Sequence, residues 1–417
     1  MPSAISPSKT LNVAIIGSGL GGLSAAIALR RQGHLVTLYE RYDFANEVGA
    51  SLSVASNGSR FLEQWGVNIP AVKPVVLKKL IMHDWKTGEV KSEYGLGDYK
   101  ARFGTEYFNF HRIDMHNVLM DTVREESSEE LGPRGSIVTN HKALNVDHET
   151  GLITFENGNT AMADLIIAAD GIRSLTRERI GITPSVESSE SCCYRCIISS
   201  SRLHDLGLSE FVLNNGIEFW GGFGIDKIVM SACHDGETIS CYCFFPASHN
   251  DLSKDGWNIG ATPEELAATY PDLDPRVITL FLHASDIKMW RLYIHQPYPY
   301  WTKGRVGLLG DAAHPMLPDQ SQGFCMALED AGALGFIFSE EFRDVWGEDV
   351  SKGLELYEKV RKERASKVQA ASARARTDLS ERIGWSSASD RPGKLTIEEV
   401  CGYDMLAHIR KLVSKSV

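Results

Sequence analysis

No run of about 18 consecutive apolar residues occurs in the 417-residue chain, so no segment is long enough to cross a bilayer as a helix. Met1 to Thr10 holds no apolar stretch resembling the core of a signal peptide. Basic excess is absent as well: 43 Lys and Arg stand against 54 Asp and Glu, a net charge of −11, and the longest basic cluster is the short Lys359 to Arg364. Electrostatic capture of nucleic acid is thereby disfavoured. No repeat of fixed period appears, and Cys193 and Cys196 lack a second pair at matching spacing, so the eight cysteines read as reduced core residues and no metal site is expected. These absences leave a cytoplasmic, globular protein with neither a nucleic-acid partner nor an integral membrane segment.

Hydrophobic residues make up 43% and charged residues 23%, the balance of an ordinary folded chain. Its length is roughly twice that of a typical domain, which calls for one large or two fused domains with a substantial shared core. Leu11 to Ile16 is a short apolar run, Gly17-Ser-Gly-Leu-Gly-Gly22 is a tight turn, and Leu23 to Arg31 has an alanine-rich helical pattern. Gly33 stops that helix, Leu35 to Tyr39 reads as a second strand, and Glu40 stands at its end. The result is a βαβ unit whose Gly17, Gly19 and Gly22 satisfy G-x-G-x-x-G between strand and helix, with an acid further on. Glycines there let backbone N–H groups approach a pyrophosphate, the helix N-terminus adds partial positive charge, and Glu40 can accept hydrogen bonds from a ribose. Whether the dinucleotide is NAD or FAD stays open on this motif alone.

Further along, Met115 to Arg124 reads as a helix, Ile137 to Phe155 as a hairpin around His148-Glu-Thr-Gly151, and Asp164 to Ala169 as a buried strand ending at Asp170-Gly171. From Ser191 to Phe245 β-branched and aromatic residues alternate without a helical period, as in a separate antiparallel sheet. Cys241 and Cys243, two apart, share one face of it. Arg305 to Leu309 returns to a buried strand closed by Gly310-Asp311. A helix follows from about Gly323 to Phe338, and Gly353 to Thr377 reads as one long surface helix. Ser386 to Gly393 reads as a loop before a helical tail.

Ala169-Asp-Gly-Ile-Arg-Ser-Leu-Thr-Arg177 and Gly304-Arg-Val-Gly-Leu-Leu-Gly-Asp-Ala-Ala-His-Pro-Met-Leu-Pro318, in this order after the glycine turn, resemble the DG and GD fingerprints of single-component flavin-dependent aromatic hydroxylases. The likeness is to the salicylate-hydroxylase-like branch, with its fungal phenol- and polyketide-modifying monooxygenases, and runs from about Asn12 to Arg376. His111-Arg-Ile-Asp-Met115, Tyr194-Arg195 and Leu356-Tyr-Glu-Lys-Val-Arg361 look like further family segments. No second G-x-G-x-x-G followed by an acid is present, which agrees with a family lacking a separate NAD(P)H domain.

The resemblance implies an α/β fold: a doubly wound, Rossmann-like FAD-binding domain of the para-hydroxybenzoate-hydroxylase type, with an inserted antiparallel substrate sheet and C-terminal helices. The expected divisions are 9–73, 107–180 and 285–380 for the FAD-binding domain, 74–106 and 181–284 for the substrate sheet, and 381–417 for a helical tail. FAD would be held by Gly17, Gly19, Gly22, Glu40, Arg41, Gly49, Ser53, Arg112, Asp170, Asp311, Pro318, Gly323 and Phe324. The helix opened by Gly323 would stabilise the negative edge of reduced flavin. At the substrate, Arg195 beside Tyr194 is expected to anchor a carboxylate or phenolate, and Asp319 is a candidate base for a substrate hydroxyl, or else a solvated residue or a helix cap. A tyrosine that some relatives carry on the facing strand is missing from Ile228 to His234, where Ser231, His234 or Tyr242 are the candidate substitutes. His314 is expected to be structural.

The implied activity is hydroxylation or epoxidation of an electron-rich aromatic or heteroaromatic small molecule, in secondary metabolism, with NADPH or NADH and O2 as co-substrates and a flavin C4a-hydroperoxide as oxygen donor. The protein would be a monomer or homodimer. An FAD-dependent oxidase or reductase on the same scaffold is the alternative, and a non-catalytic nucleotide-binding protein the third reading.

Overall fold

The computed structural model describes residues 9–43, 51–249, 258–385 and 394–415. Asn12–Ile16 and Leu165–Ala168 are short apolar runs, the second buried along its whole length, as suits strands covered on both faces. They pair in parallel within a six-stranded sheet ordered Thr302–Lys303, Val306–Leu308, Leu165–Ala168, Asn12–Ile16, Leu35–Tyr39, Ser136–Val138. Only the short Thr302–Lys303 edge is antiparallel, so the other strands deliver the chain to one edge of the sheet. Ligands of open α/β sheets gather at that edge. Helix Leu20–Arg30 covers one face and packs on helix Gly323–Ile337, where Ala28 and Gly335 allow close approach.

The expected hairpin from Ile137 to Phe155 is divided. Asn140, at φ +56°, breaks the strand, so Ser136–Val138 joins the parallel sheet beside Leu35–Tyr39. Ala143–Val146, Leu152–Phe155 and Thr160–Met162 form a separate three-stranded antiparallel sheet.

The second large sheet has eight strands, ordered Ile259–Gly260, Ser285–His295, Val186–Ser199, Thr238–Pro246, Lys227–Cys233, Gly216–Gly221, Lys79–His83, Val90–Gly95. Its neighbours run antiparallel except Gly216–Gly221 with Lys79–His83, because the latter strand enters from an earlier excursion of the chain. Strand Ser285–His295 pairs along Val186–Ser199, which places it in this sheet and makes the expected division at 285 too early. Side-chain alternation gives the sheet two distinct faces. Cys192, Cys196, Cys241, Cys243 and Phe245 pack on one side with helices Pro263–Ala268 and Pro275–Phe281. Val229, Tyr242 and Phe244 occupy the other. All eight cysteines are free and buried.

The long helix runs Val350–Ala375 with Asp349 as its cap. It buries a stripe including Leu354, Tyr357, Arg361 and Val368, so it is an integral part of the core rather than the surface helix expected from its charge. Helices Ile397–Cys401 and Met405–Ser414 follow, and the expected loop Ser386 to Gly393 lies outside the described residues. Among the described residues no helix is long and apolar enough to cross a membrane.

Candidate active site

The glycine turn is closed by contacts that only hydrogen can satisfy. Gly17 has φ +101°, and a Cβ on it would lie 2.5 Å from the Ala169 carbonyl oxygen; a Cβ on Gly22 would lie 2.0 Å from the Gly17 oxygen. Gly19 caps helix Leu20–Arg30, and among the described residues nothing lies within 4 Å of where a Cβ on it would stand, which leaves room beside the first N–H groups of the helix. Glu40, at the end of the neighbouring strand, accepts from the Ser18 N–H at 2.8 Å and the Tyr42 N–H at 3.1 Å. Both carboxylate oxygens are thus oriented, each with a lone pair to spare. Arg41 is exposed, its guanidinium over the Tyr42 ring.

Asp170 Oδ2 accepts from the Thr176 N–H and hydroxyl, each at 3.0 Å, and holds the turn after strand Leu165–Ala168; its Oδ1 is buried with no partner among the described residues. Arg112 opens helix Arg112–Arg124, which is tied to the glycine turn through His116 Nε2, 2.8 Å from the Ser18 oxygen. A glycine-opened helix end with an acid on the adjacent strand is a donor and acceptor set that fits a dinucleotide.

Gly310 and Asp311 follow strand Val306–Leu308 at the same sheet edge. Asp330 fixes this turn: its Oδ2 accepts from the Gly310 N–H at 3.0 Å and lies 2.6 Å from His314 Nε2. The Asp311 carboxyl reaches solvent through a cavity yet is surrounded by protein. That burial pushes its pKa up, against the opposing pull of His314 and Arg112.

The cavity, about 270 Å³, lies between Asp311, the segment 316–324 and the inner face of the eight-stranded sheet. Ile217, Phe219, Val229 and Phe244 give it apolar walls. Lys227, from the same face, forms a buried ion pair with Asp319 and also donates to the Ala375 oxygen at 3.2 Å. Asp319 Oδ2 is buried without a partner among the described residues. Arg382 donates to the Asp319 carbonyl oxygen at 2.7 Å and the Ser321 hydroxyl at 3.1 Å, fixing the loop. The Tyr242 hydroxyl donates to the Ser51 oxygen at 3.0 Å, and burial pushes its pKa up. Helix Gly323–Ile337 points its N-terminal residues, Gly323 and Phe324, into the same space.

Ser53, Asp311, Pro318, Asp319, Gly323 and Phe324 therefore meet at one cavity, joined by Ser231 and Tyr242. Gly17, Gly19, Gly22, Glu40 and Asp170 gather at the neighbouring strand ends. Two expected substrate residues do not reach the cavity lining. Tyr194 lies on the opposite face of its strand, stacked on Phe245 at 4.8 Å, as side-chain alternation requires when its neighbour faces inward. Arg195 has the inward parity, opposite Tyr242, but its buried guanidinium is paired with Asp286 at 2.6 Å.

Gly49 lies outside the described residues. His234 instead joins His111 and Asp114, in a hydrogen-bonded cluster whose potential ligand atoms lie within 4.8 Å of one another, a set the sequence did not suggest. Lys227 and Arg382 were missed as well. The signal for Lys227 was parity, since it shares a strand face with Val229 and Ser231.

The chain matches the family described as "FAD binding domain" over residues 10–372. It is 33% identical over 380 residues to hispidin-3-hydroxylase of Neonothopanus nambi, covering 87% of this chain and 88% of that one. It is 28% identical over 375 residues to 6-hydroxynicotinate 3-monooxygenase of Pseudomonas fluorescens, covering 87% and 90%. The fold of a salicylate hydroxylase bound to its substrate superposes with a TM-score of 0.73 at 22% identity, covering 96% of this chain and 97% of the other.

Proposed function

The chain belongs to the FAD binding domain family and is an FAD-dependent monooxygenase of the aromatic-hydroxylase class, and from that premise we propose that NADPH or NADH supplies its electrons and a hydroxylated aromatic or heteroaromatic ring receives the oxygen. In balance, one NAD(P)H, one proton, O2 and the substrate give NAD(P)+, water and a product with one added oxygen atom. The observation that carries this reading is the continuity of the site: Asp311, at the carboxyl edge of the parallel sheet, opens into the same cavity as the inner face of the second sheet.

FAD, when bound, supplies the redox chemistry that activates dioxygen. In this reading Gly17, Gly19 and Gly22 bring backbone N–H groups to the pyrophosphate, Glu40 accepts from the adenine-side ribose, and Arg41 lies beside it. Arg112, Asp170 and Ser53 complete the polar lining, and Asp311 accepts from ribityl hydroxyls. Pro318 shapes the loop before Gly323 and Phe324, whose helix end favours negative charge on the ring system. Asp319, Ser231 and Tyr242 orient the substrate, while the apolar walls exclude water from it. The FAD-binding unit is taken as 9–73, 107–180 and about 296–380, with Ser285–His295 left to the substrate sheet.

The test is turnover under 18O2 with NADPH or NADH and a panel of phenolic and heteroaromatic compounds. One labelled oxygen in the product and one NAD(P)H consumed per product support the reading. NAD(P)H oxidation yielding only hydrogen peroxide with every compound, or product formed without label, contradicts it.

A further inference from the structure

Among the described residues, the formal charges of the side chains that line the cavity sum to zero: two cations, Lys227 and Arg382, stand against two acids, Asp311 and Asp319. Lys227 is 1% exposed, is paired with Asp319 and stands over the Phe244 ring at 4.7 Å. Arg382 is committed to the 319–321 loop and lies over Phe219. Asp319, 4% exposed, turns one oxygen to Lys227 and leaves Oδ2 buried with no partner among the described residues. A buried acceptor of this kind costs free energy until a donor reaches it.

A ring hydroxyl supplies such a donor. A ring carboxylate supplies only acceptors at neutral pH, and it would bring a third negative charge into a space walled by Ile217, Phe219, Val229 and Phe244, where an uncompensated charge is expensive. Resting on the reading of this cavity as the substrate site, we propose that the Lys227–Asp319 pair is a specificity device. It selects hydroxylated aromatic substrates that carry no carboxylate, with the substrate hydroxyl donating to Asp319 Oδ2.

Lys227 acts through Asp319 as a positioning residue. It fixes the carboxylate's orientation and cancels its charge, whereas the substrate touches Asp319. The relatives described above include enzymes named for hydroxynicotinate and salicylate, both carboxylates, so the proposal sets this chain apart from them in substrate class.

Binding to the FAD-loaded protein, measured by calorimetry and by perturbation of flavin absorbance, tests this without requiring turnover. The probes are matched pairs: 4-hydroxyacetophenone against 4-hydroxybenzoate, 3-hydroxyacetophenone against 3-hydroxybenzoate, and 2-naphthol against 6-hydroxy-2-naphthoate. The neutral member of each pair should bind at least about tenfold more tightly. Asp319→Asn keeps the side chain's shape but leaves Lys227 uncompensated, so the preference should shift toward the carboxylate by about tenfold or more. The double variant Lys227→Gln with Asp319→Asn removes both charges and should return the preference to neutral ligands, with flavin content reporting correct folding.

Equal or tighter binding of the carboxylates by the unmodified protein overturns the proposal, as does failure of every neutral member to bind. An unchanged preference in flavin-loaded Asp319→Asn also overturns it. These outcomes are independent of whether labelled oxygen reaches product, so failure of the specificity device is distinguishable from failure of the monooxygenase reading.

Discussion

His295 shows how a single buried ring writes itself into the pH dependence of the whole. Its Nδ1 lies 2.9 Å from the Tyr298 hydroxyl, and burial, aided by the nearby Arg177 charge, pushes its pKa down to about 4. In the unfolded chain an imidazole titrates near about 6.5, so between these values the unfolded state binds the extra proton. Stability from this residue is complete above the upper value and is lost as pH falls toward the lower one. Thermal unfolding midpoints of the FAD-loaded protein should therefore fall between about pH 6.5 and about pH 4 more steeply than those of His295→Asn; identical slopes would remove His295 from the account. Legibility at this scale followed locality. The turn of Gly17, Gly19 and Gly22 and the place of Glu40 at the strand end were readable because they depend on neighbours in one βαβ unit. Lys227 and Asp319 meet across 92 positions, and only the register of strand Lys227–Cys233 and the placement of the 318–320 turn join them. Tyr194 and Arg195 were adjacent letters, but strand parity sends them to opposite faces.

Helix Gly323–Ile337 carries two consecutive buried acids that bind three parts of the chain together. Asp330 holds Gly310, His314 and Arg361, while Glu329 holds Arg361, Arg364 and Asn57. Burial alone would raise both carboxyls. The surrounding basic side chains outweigh it, with Arg364 and Arg361 acting on Glu329 and His314 and Arg361 on Asp330, so both end below the ordinary range. Removing one charge from such a buried set leaves its partners unpaired, so Asp330→Asn should cost about 3–5 kcal/mol of folding stability. Chemical denaturation of the FAD-loaded protein measures this, and a loss below about 1 kcal/mol would mean that the network contributes little. Helices Leu20–Arg30, Arg112–Arg124, Gly323–Ile337 and Val350–Ala375 were legible to within a few residues of their ends, whereas the short helices Pro263–Ala268 and Pro275–Phe281 were not. Burial of helix Val350–Ala375 was not, because its charged residues include Arg361, which points into the core. The strand at Ser285–His295 was also misplaced by its sequence neighbours, since pairing with Val186–Ser199 is a long-range choice.

Across the molecule, two sheets divide the work. The parallel sheet presents glycines and acids at the carboxyl ends of its strands, and the eight-stranded sheet supplies an apolar wall from which Lys227 pairs with Asp319 of the facing loop. Their meeting at Asp311 is the geometric core of the account, and the motifs that form it are separated by most of the chain. Titration of the apoprotein with FAD, followed by flavin fluorescence and calorimetry, tests it most directly. One FAD should bind per chain, and Gly22→Ala, whose new methyl would stand 2.0 Å from the Gly17 oxygen, should bind at least about tenfold more weakly. Failure of the unmodified chain to take up FAD, or undiminished binding by Gly22→Ala, would contradict the account.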